Sequence, residues 1–226
     1  MVSKSAKQHP VGRRERRRTE TRERIFRTAM NLFMERGFAE TTIEDITEAA
    51  DTGKGTFFNY FRSKEHVLAA FGELQKNKVR DFVEGAVKSG RPMNALLSEL
   101  GLVLAEEPGK TPDLFRNMML ANIGKPEVRV HFARAILQGR RKLAELMAYG
   151  QRRGEIRDDL SPEHLARTFQ RAFFGTMVMW CISPTTRLTE CFAETFAVLW
   201  PGVRATATQK KQRTLRMRGG SKEESR

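Results

Sequence analysis

The residues best suited to chemistry in this chain lie in the run Lys54-Gly55-Thr56-Phe57-Phe58-Asn59-Tyr60. Wound as a helix, the run sets Lys54, Gly55, Thr56 and Asn59 outward and leaves little bulk there. Small residues let a backbone approach base edges, threonine and asparagine offer hydrogen bonds, and lysine supplies a charge-assisted contact to phosphate. Phe57 and Phe61, four apart, pack the helix onto its neighbours. Upstream, Thr41-Thr42-Ile43-Glu44 reads as a capping box, with Thr41 as the cap and Glu44 reaching back. The short helix so opened turns Ile43, Ile46, Ala49 and Ala50 inward and stops at Asp51-Thr52-Gly53. Asp51 and Gly53 both tolerate the left-handed backbone such a turn needs. Two short helices joined by about three residues cross steeply, and the second projects into a major groove. An ordinary helical hairpin with a polar solvent face satisfies the same spacing.

Catalysis finds less support. The four histidines (His9, His66, His131, His164) are scattered without metal-ligand spacing, and neither a glycine-rich phosphate loop nor a Gly-x-Ser-x-Gly motif occurs. The expectation is a protein that is not an enzyme and needs no cofactor. Cys181 and Cys191 are too few for a disulfide scaffold and read as buried thiols in a reducing cytoplasm. No run approaches the roughly 20 apolar residues that span a bilayer. Met1 to Arg18 lacks the apolar segment of a secretory signal. A cytoplasmic location without membrane contact follows as an expectation.

The formal net charge of +14 sits at the two ends. Residues 1–27 hold ten Lys/Arg against three Glu, and residues 203–226 hold eight against two, around a nearly neutral body. Basic ends suit a polyanion, because displaced counterions drive association with phosphates; solvated tails that only aid solubility are the other reading. Residues 1–18 read as a flexible arm. Its Arg13, Arg14, Arg16, Arg17 and Arg18 either enter a minor groove or raise non-specific affinity alone.

Apolar spacing is helical nearly throughout, so the expected fold class is all-α with about nine helices. A first helix runs from Thr19, its cap, to Arg36, with Ile25, Ala29, Leu32 and Phe33 in one stripe and Gly37 as the stop. Ser63 starts a long helix towards Val87. Further helices are expected at 92–106, 112–121, 126–153, from Pro162 (capped by Ser161) to Ile182, and at 189–199, ending at Pro201-Gly202. Four parts follow: the arm 1–18, a three-helix DNA-binding head 19–64, a larger helical domain 65–202, and a basic, disordered tail 203–226.

The stretch Thr41-Thr42-Ile43-Glu44-Asp45-Ile46 through Ala49-Ala50-Asp51-Thr52-Gly53-Lys54-Gly55-Thr56-Phe57-Phe58-Asn59-Tyr60-Phe61, then Ser63-Lys64-Glu65, closely resembles the DNA-binding domain of the TetR family of repressors. The match extends upstream through Ile25 to Phe38. The resemblance implies a three-helix head that binds double-stranded DNA and a divergent helical domain that dimerises and holds a small inducer. By position, Thr42, Lys54, Thr56, Asn59, Tyr60 and Lys64 would contact phosphates or base edges, and Thr41, Gly55 and Phe58 complete the expected interface. The family commonly has glycine at Asp51 and a valine-serine pair at Thr52 and Gly53. It usually has a tyrosine at Phe58, whose hydroxyl meets a phosphate, a bond Phe58 cannot make. Asp51 also brings a negative charge close to DNA.

Two half-sites need two heads, so the expected partners are a palindromic operator and a second copy of the chain. The helix from Phe169 to Trp180 is apolar nearly all round, and Phe192, Phe196, Leu199 and Trp200 form a stripe on the last helix. With Phe169, Phe173 and Met177 these are the expected homodimer interface, monomer core being the alternative; the resemblance implies a four-helix bundle. For a small, moderately hydrophobic effector, Met93, Leu97, Leu100, Leu104, Leu114, Met118, Phe132, Ile136, Phe173 and Met177 are candidates to line a cavity, although such stripes are more often plain core. Arg116, Asn117 and His131 are candidates to orient a polar group. The function expected is a sequence-specific repressor released by its effector. An activator with the same head and a non-specific nucleic-acid binder are the alternatives.

Overall fold

The computed structural model describes residues 13–106, 111–124 and 126–206. Among these, nine α-helices follow one another without a strand, as an all-α chain should. They are α1 Arg13–Glu35, α2 Ile43–Ala49, α3 Lys54–Tyr60, α4 Lys64–Ser89, α5 Met93–Glu106, α6 Pro112–Gly124, α7 Pro126–Arg152, α8 Pro162–Ile182 and α9 Leu188–Val203. None is long and apolar enough to cross a membrane. The chain divides into two compact units, one ending at Val67 and one beginning at Leu68.

In the first unit α1 packs on α2 and α2 on α3. Ile25, Ala29, Leu32 and Phe33 from α1 meet in a core that also takes Ile46, Ala50, Phe57 and Phe61. Helix α1 begins at Arg13 rather than Thr19, so the arm expected to be flexible is helical over its last six residues; residues 1–12 lie outside the described part. Thr19 is no cap. Its hydroxyl donates to the carbonyl of Glu15, one turn back, while Arg16–Glu20 and Glu23–Arg27 pairs at i,i+4 lend the exposed helix modest support. The cap of α2 also moves by one residue. Thr42 accepts from the Asp45 amide, and the Asp45 carboxylate accepts from the Thr42 amide. Ala49, expected inward, is exposed, whereas Thr47 is buried.

In the second unit α7 packs on α8, α5 and α8 pack on α9, and α6 lies against both α7 and α8. Proline opens α6, α7 and α8 where its missing N–H loses nothing, and Ser161 caps α8 by accepting from His164. Helix α9 runs on through Pro201 to Val203 instead of stopping there. The chain beyond it is fastened: Arg157 donates its amide to Val203, and Ala205 donates to Glu155. The expected disordered tail therefore loses residues 203–206; the remainder, 207–226, lies outside the described residues. Glu155 also accepts from the Met93 amide at the start of α5 and pairs with Arg153, which reaches the carbonyls of Gly90 and Arg91.

Candidate nucleic-acid interface

The turn between α2 and α3 decides which way α3 faces. Thr52 donates to the Thr47 carbonyl, Asp51 to Glu48 and Ala50 to Ile46, which closes α2 in a Schellman motif. The left-handed position of that motif belongs to Asp51, with φ of 46°. Gly53, the other candidate, is extended and serves as the cap of α3 without a side-chain hydrogen bond. A non-glycine residue in this conformation costs about 1–2 kcal/mol, least for Asp and Asn.

Helix α3 is buried on one side only. Phe57 is fully enclosed, with Phe61 and Phe58 rings 5.8 and 5.5 Å away. Lys54, Gly55, Phe58 and Asn59 are exposed, and Thr56 and Tyr60 are half-buried. The Lys54 ammonium pairs with Glu44 on α2, which holds the Glu44 carboxyl below its ordinary range. Both side chains are more than half exposed, so the pair is weak and costs little to break. A methyl group built on Gly53 or Gly55 would meet nothing within 4 Å, so the unit's own packing does not require glycine at either place. Gly55→Ala is accordingly expected to raise thermal stability slightly, by up to about 0.5 kcal/mol. The same change should weaken DNA binding about tenfold, through a steric clash of about 1–3 kcal/mol. A melting curve beside a gel-shift titration checks both directions.

Two expected contacts belong to the fold instead. Thr41 is fully buried and donates its hydroxyl towards the carbonyls of Leu32 and Gly37, at 3.3 and 2.7 Å. It cannot reach DNA. The Lys64 ammonium donates to the carbonyls of Phe38, Ala39 and Thr41, at 2.7, 3.1 and 2.9 Å, over the Phe38 ring. All three of its donors are engaged, so it clamps the α1–α2 loop and has none left for a phosphate. Thr42 is exposed, but its amide and hydroxyl both donate to Asp45. These bonds, the hydroxyl foremost, hold the Asp45 carboxyl below its ordinary 3.8. Because the carboxylate is favoured by folding, that support is complete above the ordinary value and is lost as pH falls below it and on through the lowered one. The first unit should therefore soften in acid, and a urea midpoint measured at about pH 6 and again at about pH 3.5 should fall. Asp45→Asn should flatten that fall.

Arg13, Arg14, Arg16, Arg17 and Arg18 are all exposed on α1. A helix about 10–12 Å across does not fit a minor groove about 6 Å wide, which removes the minor-groove reading for these residues in this conformation.

Within the second unit a cavity of about 110 Å³ opens between α4 to α8. Leu100, Leu104, Met118, Phe132, Ile136, Phe173 and Met177 line it as expected from their types. Met93, Leu97 and Leu114 do not; they are buried elsewhere in the unit, Met93 beside Gly150. His131 is exposed, and Arg116 is turned to Asp113 and the Cys181 carbonyl. The polar lining comes from residues that sequence reasoning missed, Gln75, Lys76 and Gln170.

The residues expected at a dimer face lie mostly inside one chain. Phe169, Phe173, Met177, Phe192 and Phe196 are buried within a single chain, and Leu199 and Trp200 are half-buried against them. The solvent side of α8 carries Gly175, Val178, Met179 and Ile182 at helical spacing, and α9 carries Ala193, Ala197 and Val198. Val198 is 82% exposed and Ile182 68%.

With this geometry in hand, likeness to known proteins is specific. A family model described as bacterial regulatory proteins, tetR family, matches residues 25–71. The HTH-type transcriptional repressor DhaR of Mycobacterium sp. (strain GP1) is 28% identical over 66% of this chain and 76% of its own. The HTH-type transcriptional regulator TcmR of Streptomyces glaucescens is 30% identical over 70% of this chain and 72% of its own. Among solved structures, Thermus thermophilus FadR, a TetR family transcriptional repressor in complex with lauroyl-CoA, matches with a TM-score of 0.61. It is 34% identical and covers 79% of this chain and 92% of its own.

Proposed function

Because the chain belongs to the tetR family of bacterial regulatory proteins, we propose that it is a repressor that binds a palindromic operator as a homodimer and leaves it when a small effector fills the cavity. Its relatives are regulators of transcription and not enzymes. The observation that carries the reading is the solvent face of α3, where Lys54, Gly55 and Asn59 stand clear over a buried Phe57. That face matches a major groove: asparagine is shaped for adenine, lysine for phosphate or guanine, and glycine permits close approach. The named relatives DhaR and FadR are repressors, which favours repression over activation.

The dimer is read from the exposed stripe Gly175, Val178, Met179 and Ile182 together with Val198, since an apolar surface of this kind on two adjoining helices calls for a cover. The cavity supplies the switch. An effector that prefers the state unable to match both half-sites shifts the population away from DNA by its differential affinity. FadR binds lauroyl-CoA, and an apolar effector for this chain is in keeping with that.

Selection of sites from random duplexes, followed by gel-shift titration, tests the proposal. A symmetric site bound by two chains is expected, with a large preference over unrelated DNA. Asn59→Ala should relax the choice of one base pair, at about 1–3 kcal/mol, whereas Lys54→Ala should weaken all sequences alike and lower the salt slope by about 1 if its partner is a phosphate. Equal affinity for selected and random DNA would leave only a non-specific binder.

A further inference from the structure

The cavity holds one polar atom with nothing to do. Gln75 lines it from α4 and turns its amide nitrogen to the Leu104 carbonyl, at 3.5 Å. The amide cannot be reversed without setting oxygen against oxygen, so its carbonyl oxygen is the end left over. That oxygen, Oε1, is buried and has no hydrogen-bond partner among the described residues. A buried acceptor left unsatisfied costs about 1–3 kcal/mol, an expense a binding site incurs when a ligand or a displaceable water supplies the donor. The other polar groups are engaged. Gln170 donates to the Ile136 carbonyl at 3.1 Å, and the Lys76 ammonium is paired with Glu73. No unpaired cation among the described lining residues therefore awaits an anion.

The walls add size and shape. Phe71, Phe115, Phe132, Phe169, Phe173 and Phe174 surround the space, and Gly139 borders it. Gly139 is buried, yet a methyl group built on it would meet nothing within 4 Å, so that side of α7 looks onto void. An apolar cavity of 150 Å³ accepts benzene, and aromatic edges and faces favour a ring. At about 110 Å³ this cavity is somewhat smaller, so a single ring is the scale it suits and a substituted one requires its walls to give.

Resting on the effector reading above, we infer that the cavity selects an uncharged, single-ring molecule with one hydrogen-bond donor, a hydroxyl or an N–H, which it presents to Gln75 Oε1. p-Cresol and p-xylene are the matched probes, equal in size and differing only in hydroxyl against methyl.

Affinities of both are measured by calorimetry on the full chain and on Gln75→Met. The variant keeps the length of the side chain; it gives up the long Nε2 bond to the Leu104 carbonyl together with the unsatisfied Oε1, so it should melt close to the parent. The ratio of p-cresol to p-xylene affinity should drop about tenfold in Gln75→Met; taking the ratio cancels the different hydration of the two probes. Gly139→Leu should fill the void and abolish binding of both. An unchanged ratio overturns the inference, as does p-toluate binding as tightly as p-cresol. If lauroyl-CoA alone binds, and Gly139→Leu prevents it from releasing DNA, the ligand class is wrong and the effector cavity stands. If an effector releases DNA equally from Gly139→Leu, the cavity reading falls with it.

Discussion

Phe57→Ala is expected to unfold the DNA-binding unit and abolish operator binding while the second unit keeps its cooperative melt. Phe57 is fully enclosed and is the one buried side chain by which α3 enters the core of the unit. Removing a buried phenylalanine costs about 3–5 kcal/mol in lost transfer energy and cavity. At about 0.05–0.15 kcal/mol per residue, a unit ending at Val67 has only a few kcal/mol to lose. Its neighbour supplies the control. Phe58 is 52% exposed, so Phe58→Ala should leave stability nearly unchanged and affect DNA binding alone. Hydrogen exchange read separately for residues before and after Val67, beside a gel shift, distinguishes unfolding from loss of contact. Operator binding by a folded Phe57→Ala protein would mean that α3 is not held in place by this ring.

These two phenylalanines also show what the sequence made legible. Helix periodicity separates inward from outward on a short amphipathic segment, and Phe57 and Phe61 fall where their spacing places them. Proline starts and the Ser161 cap marked α6, α7 and α8. The capping box was ambiguous for a local reason. Thr41 and Thr42 each have an acidic residue three positions on, Glu44 and Asp45, so the motif scans in two frames. Tertiary structure breaks the tie, because the Thr41 hydroxyl is taken by Leu32 and Gly37. Lys64 differs from its expectation for a related reason: a cation beside a DNA-binding motif suggests phosphate, and three carbonyls from residues 38–41 cannot be seen in a pattern. The start of α1 carries no apolar signal at all, and its helix is visible only in the backbone.

In the second unit, periodicity identifies what is buried but not what lies opposite. Met93, Leu97 and Leu114 are as apolar as Leu100 and Met118, and whether a buried side chain meets an atom or a void depends on residues distant in the chain. Gln75 has the type of a surface residue, and only its position in the fold brings it to the cavity. From Ala172 to Ile182 helix α8 is apolar nearly all round, so either side could have faced a partner. The heavier aromatic side went to the monomer core, and the smaller, more exposed side, from Gly175 to Ile182, was left over.

The assignment of Phe192 to the core leads to the second large effect, at a residue without a side chain. Gly101 on α5 faces α9, and a methyl group placed there would lie 1.7, 1.9 and 2.6 Å from atoms of the Phe192 ring. That ring cannot swing aside, because Phe173, Phe169 and Phe196 stand 5.2, 6.1 and 6.2 Å from it. Gly101→Ala must therefore push α5 and α9 apart and should destabilise the second unit by about 3 kcal/mol, the upper end for overpacking, despite alanine's better helix propensity. Gly150→Ala, whose nearest neighbours are Ile156 Cγ1 and Met93 Cγ at 2.4 and 2.9 Å, is crowded by aliphatic chains and not by a ring held by three others, and should be milder. Shortening the ring returns the space, so Phe192→Leu should cost less in the Gly101→Ala background than alone. A coupling of about 1–3 kcal/mol in that double-mutant cycle, read from urea midpoints, is the expected sign of contact. Strict additivity would show that α9 does not seat Phe192 on Gly101 and would return that residue to the candidates for the dimer face.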